Sequence, residues 1–178
     1  PKGTLYNPGD AVFGSLVYNK GAWVLHMLRK EVGDEKFFKI LRAYFKKYEY
    51  SNASTNDFKT VCEEIAKENL KIFFDQWVFK GEGIIELDGT WSVKKTGENF
   101  ITTIKIKQLQ KGYDIYKFPL DIKLVSANED ETKTSTVRMD GREVILNLES
   151  KNKPIDIILD PNGWLLAKIN ISPEEAVK

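Results

Sequence analysis

The apolar residues of this chain change their period once, and that change limits what it can fold into. Up to Gly81-Glu82-Gly83 they recur every three or four residues, as on one face of a helix. Beyond it they alternate with period two, as on a half-buried strand. Helices followed by strands define an α+β chain. The expected organisation is a helical unit over 1–81, a β-sandwich over 82–172 and a tail over 173–178.

Tyr18–Val32 reads as the first helix, stopped at Gly33, a residue that takes left-handed conformations without steric cost. Asp34 then caps a second helix over Glu35–Tyr48, with Phe37, Leu41, Tyr44 and Phe45 as its core stripe. Ser54-Thr55-Asn56-Asp57 has the form of a helix start. The buried row behind it is Phe58, Val61, Cys62 and Ile65. Asn69 begins a fourth helix over Leu70–Phe79, whose Phe73, Phe74, Trp77 and Val78 read as packing rather than as a ligand box.

In the second half, Phe100, Thr102, Ile104 and Ile106 alternate with Ile101, Thr103, Lys105 and Lys107, and Phe118, Leu120, Ile122 and Leu124 repeat the pattern. Asp140-Gly141, between Val137-Met139 and Val144-Leu146-Leu148, predicts a hairpin. Ile155–Leu159 and Trp164–Ile169 supply two more strands around Asp160-Pro161-Asn162-Gly163. About seven strands with turns between them fit an antiparallel, Ig-like sandwich.

Composition narrows the function classes. With 27 basic and 26 acidic residues the formal charge is +1, so no global field recruits nucleic acid or an anionic membrane. The 42% hydrophobic content argues against a disordered chain. No apolar run reaches the ~18 residues that would span a bilayer. One cysteine, Cys62, excludes an internal disulfide and reads as a small buried hydrophobe, which leaves the compartment open between cytoplasmic and bacterial extracytoplasmic. With one histidine, His26, and one cysteine, the chain lacks the nitrogen and sulfur ligands of a catalytic zinc site. His26 is expected to face a helix neighbour or solvent.

The residues that point to chemistry surround Tyr18. On a 3.6-residue period Tyr18, Ala22, Leu25 and Arg29 share a helical face, and Gly21 with Ala22 leaves room beside the phenol. A tyrosine hydroxyl is a neutral donor able to hydrogen-bond an oxygen that turns negative in a tetrahedral intermediate. Lys20 adds positive charge at the helix start. Tyr18 is therefore the candidate catalytic residue, with Asn19 and Lys20 at the rim of the site and Phe13 lining a substrate pocket. On spacing alone, a lone tyrosine at a helix start is more often an interfacial aromatic, packed by its ring and wet at its hydroxyl.

A longer pattern adds to that reading. Tyr18 with Lys20-Gly21, Leu28-Arg29, Gly33, Phe37, Leu41, Tyr44, Tyr48, Asn52, Asp57-Phe58 and Gln76-Trp77-Val78 with Gly81 resembles the M1 family of zinc aminopeptidases, just after that family's zinc site. Gln108-Leu109-Gln110, Phe118-Pro119-Leu120 and Asp160-Pro161 resemble the β-sandwich that follows the catalytic domain in that family. The resemblance implies that 1–81 is the helical end of a thermolysin-like catalytic domain. It also implies that Tyr18 is the tyrosine of the Tyr-acidic-Lys-Gly signature, which stabilises the tetrahedral intermediate as zinc-bound water attacks the peptide carbonyl. Peptides and the rest of the parent polypeptide are the implied partners.

Two departures matter. Asn19 stands where the family carries Glu or Asp, and the His-Glu-x-x-His helix and further Glu that hold zinc are not in this chain. Together with Pro1 as first residue, this reads as a fragment of a longer enzyme whose zinc ligands lie upstream, binding no cofactor itself and inactive alone. The alternatives are a non-catalytic binding or scaffolding protein with an M1-like fold and a stand-alone adaptor.

Overall fold

A computed structural model describes residues 4–10, 12–14, 16–128, 130 and 132–174. The chain divides into two units, Pro1–Gly83 and Ile84–Lys178. Of the expected tail, residues 175–178 lie outside the described residues.

In the first unit, two π-helical turns, Leu16–Lys20 and Asp75–Phe79, bracket the helices α1 (Gly21–Val32), α2 (Asp34–Tyr48), α3 (Thr55–Ala66) and α4 (Lys71–Phe74). The first predicted helix thus begins as a π-turn and becomes α-helical only at Gly21. Helix α1 buries Val24, Met27, Leu28 and Val32, one stripe at successive spacings of three, one and four residues. Leu28 is 1% exposed. Truncating such a side chain to alanine costs about 2–5 kcal/mol.

Gly33, at φ 83°, ends α1 by donating its N–H to the Arg29 carbonyl at 2.9 Å. Its own carbonyl receives Phe37 N–H at 2.9 Å as α2 begins. Asp34 is the first residue of α2 rather than its side-chain cap. Its carboxylate takes the Arg29 guanidinium in a fork, Nε at 2.8 Å and Nη2 at 2.6 Å, across the junction.

The core stripe of α2 also differs from expectation. Phe37 and Ile40 are buried, whereas Phe45 is 69% exposed. Ile40 completes the inward arc with Phe37, Leu41 and Tyr44, and Phe45 falls one step outside it. Aromatic edges then carry the core across three helices: Tyr44 meets Phe58 at 5.0 Å between centroids, and Phe58 meets Phe74 at 6.2 Å. The start of α3 is a capping box, with Ser54 Oγ accepting Asp57 N–H at 3.2 Å and the Asp57 carboxylate accepting Ser54 N–H at 2.8 Å.

The second unit holds β1 (Ile85–Thr96), β2 (Asn99–Gln108), β3 (Phe118–Val125), β4 (Lys133–Met139), β5 (Glu143–Ser150), β6 (Asp156–Leu159) and β7 (Ala167–Pro173). They form two sheets, ordered β5-β2-β1-β7 and β4-β3-β6. Strands β1 and β2 join through Gly97-Glu98, where Gly97 at φ 62° supplies the conformation a two-residue hairpin loop requires. The inward residues include Ile85, Leu87, Ile104, Ile106, Phe118, Leu120 and Ile122, each at most 3% exposed.

Three expectations are corrected in this unit. The sandwich is not wholly antiparallel, because β7 runs parallel to β1, from Ile85 opposite Ala167 to Trp91 opposite Pro173. The predicted Asp140-Gly141 hairpin does not form: β4 pairs with β3 and β5 with β2, so this turn carries the chain from one sheet to the other. Gln108 holds the crossing, its N–H on Arg142 O at 2.8 Å and its Nε2 on Gly141 O at 3.0 Å. The last strand begins at Ala167, not Trp164, because the Asp160 carboxylate takes Trp164 N–H and Leu165 N–H, each at 2.8 Å, into a turn.

Candidate active site

The chain enters the first π-turn through one carbonyl. Val17 and Tyr18 both donate their backbone N–H to Gly14 O, at 3.1 and 3.3 Å. A π-turn fits an extra residue into the helical turn and shifts the side chains that follow, and such turns recur at functional sites. Tyr18 is 61% exposed here, and its hydroxyl meets no hydrogen-bond partner among the described residues. A Cβ built on Gly21 meets nothing within 4 Å, so the space beside this turn is open.

The four candidate residues do not share one environment. Phe13 is 87% exposed, and Asn19 is exposed beside Tyr18. Lys20 turns the other way. It is 4% exposed, with its Nζ donating to Gly81 O at 2.9 Å. Burial pushes its pKa below the usual lysine value, and the neighbouring Glu82 carboxylate opposes that push.

An open groove on this helix is lined by Asn19, Ala22, Trp23 and His26, so of the four candidate residues it takes in Asn19. His26 stands edge-on to Trp23, with centroids 5.6 Å apart and planes at 81°. This places the histidine against a helix neighbour. Trp23 and His26 are the lining residues that the sequence reading missed as such, although their spacing from Asn19, four and seven residues, carries the signal.

The second π-turn is clasped by charge. Asp75 accepts from Lys71 Nζ at 2.6 Å and Lys80 Nζ at 2.9 Å, and the Lys71 bond foremost holds its carboxyl below the usual range. Lys80 N–H closes the turn on Asp75 O at 2.9 Å. Among the described residues no group of three His, Cys, Asp or Glu side chains could hold a metal ion, so these residues do not fit a zinc centre. No helix among them is long and apolar enough to cross a membrane.

The sandwich motifs take structural roles. Gln108, fully buried, donates Nε2 to Tyr116 O at 2.9 Å and accepts Tyr116 N–H at 3.0 Å and Gln110 Nε2 at 2.8 Å on Oε1. Pro119 lies on β3 beyond the stretch that β6 pairs, Ile122–Val125, where a missing N–H costs no bond to β6. Asp160-Pro161 forms the turn before β7.

Comparison with known proteins matches residues 6–77 to the peptidase family M1 domain. Aminopeptidase M1-D of Oryza sativa subsp. japonica is 45% identical over 71 residues, covering 40% of this chain and 8% of that protein. The thyrotropin-releasing hormone-degrading ectoenzyme of Rattus norvegicus is 28% identical over 174 residues, covering 90% of this chain and 16% of that protein. The crystal structure of Legionella pneumophila aminopeptidase A in complex with aspartic acid shares the fold at a TM-score of 0.71 and 17% identity, over 89% of this chain and 18% of that one. The chain thus spans a small part of the relatives it matches.

Proposed function

We propose, for a chain that belongs to peptidase family M1 through its helical unit, that the intact protein removes N-terminal residues from peptides and that Tyr18 is its oxyanion donor. The observation that carries this reading is the exposed phenol of Tyr18, without a hydrogen-bond partner among the described residues, on a π-turn inside the matched segment. When the scissile carbonyl becomes tetrahedral, its oxygen gains negative charge. A preset O–H donor then binds it more strongly than it bound the carbonyl, which lowers the barrier.

Phe13, which is exposed, is assigned to substrate contact and Asn19 to the groove wall. M1 aminopeptidases are generally zinc enzymes, and we place the metal ligands outside this segment, since the described residues do not fit them. The segment alone is accordingly expected to be inactive. We assign the helical unit to the end of the catalytic domain and the second unit to the sandwich that follows it, a reading the shared fold supports.

The test is product analysis with the full-length protein. A peptide with a free amino terminus should lose residues singly from that end, as followed by mass spectrometry, and its N-acetylated form should be spared. Internal cleavage, or no cleavage of either peptide, would overturn the assignment.

A further inference from the structure

The helical unit contains a buried cation with no substrate role that its geometry supports. Lys20 is 4% exposed and sends Nζ to the carbonyl of Gly81, 61 residues later, at 2.9 Å; Gly81 is itself buried. Withdrawing an ammonium from water is unfavourable, so for stability alone an apolar residue would serve as well. The bond gains a rationale from what it joins. Lys20 is the last residue of the first π-turn, and Gly81 stands two residues after the second.

A second tether reaches the same stretch of chain. Tyr6 N–H donates to Val78 O at 3.0 Å, and its ring stands edge-on to Phe79 at 5.2 Å. The second π-turn is a firm anchor, closed by Lys80 N–H on Asp75 O and clasped by the two lysines on the Asp75 carboxylate. The segment before Tyr18 and the residue two places after it are thus both fastened to 78–81.

We propose that Lys20 is a positioning residue, whose ammonium on the Gly81 carbonyl fixes the π-turn in the one register that sends the Tyr18 phenol outward. The proposal rests on Tyr18 as the oxyanion donor. It replaces a rim position for Lys20 with an action through Tyr18, because the lysine side chain is turned away from the exposed face.

A double-mutant cycle in the full-length protein tests it, with kcat and KM measured on an aminoacyl p-nitroanilide and far-UV circular dichroism as the check on folding. Lys20→Met should lower kcat by about 10–100-fold with KM within about twofold, as a misplaced catalytic group does. In a Tyr18→Phe background the same change should cost under about threefold, because the group it positions is gone. Lys20→Arg, which keeps a charged donor, should recover about tenfold of the loss.

Unchanged kcat in Lys20→Met, a loss confined to KM, or a full loss repeated in the Tyr18→Phe background would overturn the proposal. If Lys20→Met does not fold, Lys20→Gln, which keeps one neutral donor, enters the same cycle under the same criteria. Failure of the Tyr18 reading shows separately: Tyr18→Phe alone then keeps its kcat. A large loss in Tyr18→Phe with none in Lys20→Met sinks only the role of Lys20.

Discussion

Tyr18 and Lys20 stand two residues apart in one five-residue π-turn and face opposite ways, the tyrosine 61% exposed and the lysine 4%. Residues two apart on a helical turn do not meet. The turn can therefore present a hydroxyl on one side while it is held from the other.

Phe13 is assigned to substrate contact. At 87% exposure it has little packing to lose, so Phe13→Ala should change stability by less than about 0.5 kcal/mol. In the full-length enzyme, KM for peptides should rise by about 3–10-fold with kcat nearly constant, the size of one lost apolar contact. Unchanged KM across a panel of peptides would remove Phe13 from the site.

The capping box at α3 is a folding feature with a pH signature. Ser54→Ala should cost about 1 kcal/mol in urea unfolding followed by circular dichroism. The Ser54 backbone N–H, then its hydroxyl and the Tyr48 hydroxyl, hold the Asp57 carboxyl below its usual 3.8. A depressed carboxyl stabilises the fold above its unfolded pKa and loses that contribution as pH falls through the folded value. The contribution should be complete above about pH 5 and vanish below the folded value in acid. Ser54→Ala should flatten this dependence.

Gln108 tests the sandwich without touching chemistry. Its side chain bonds both backbone groups of Tyr116 and the carbonyl of Gly141 in a fully buried site. Gln108→Met keeps volume and strands those groups, at an expected cost of about 2–4 kcal/mol. Thermal unfolding should show the loss while kcat and KM at low temperature stay at wild-type values.

Cys62 is fully buried, and burial pushes its thiol up to about 12. It should resist an aromatic disulfide reagent at pH 8 in the native protein and react at once in denaturant. Rapid reaction under native conditions would mean that α3 opens far more often than its packing implies.

What the sequence made legible follows from which interactions are local. The Ser54–Asp57 box lies within four residues, and the strand alternations of β2 and β3 need only their own side chains. Asp140-Gly141 marks a turn correctly, yet a turn does not say which strand its arms will join; Gln108, some thirty residues earlier, decides that. The parallel seat of β7 beside β1 likewise depends on a partner about 80 residues away.

The same limit governs the site. Tyr18 stands out by its motif, but the inward turn of Lys20 depends on Gly81, and an α-helical period drawn from Tyr18 cannot anticipate the π-turn that shifts its register. The spacing of Trp23 and His26 puts them on one helical face with Asn19, but that this face is hollowed into a groove is a property of the surface and not of the chain order.

The central claim is tested most directly by the kinetics of Tyr18→Phe in the full-length protein, on a substrate that loses one N-terminal residue. Removing one oxyanion donor should lower kcat by about 10²–10³ and leave KM within about threefold, since the hydrogen bond strengthens only as charge forms. A folded Tyr18→Phe enzyme with near-wild-type kcat would contradict the account.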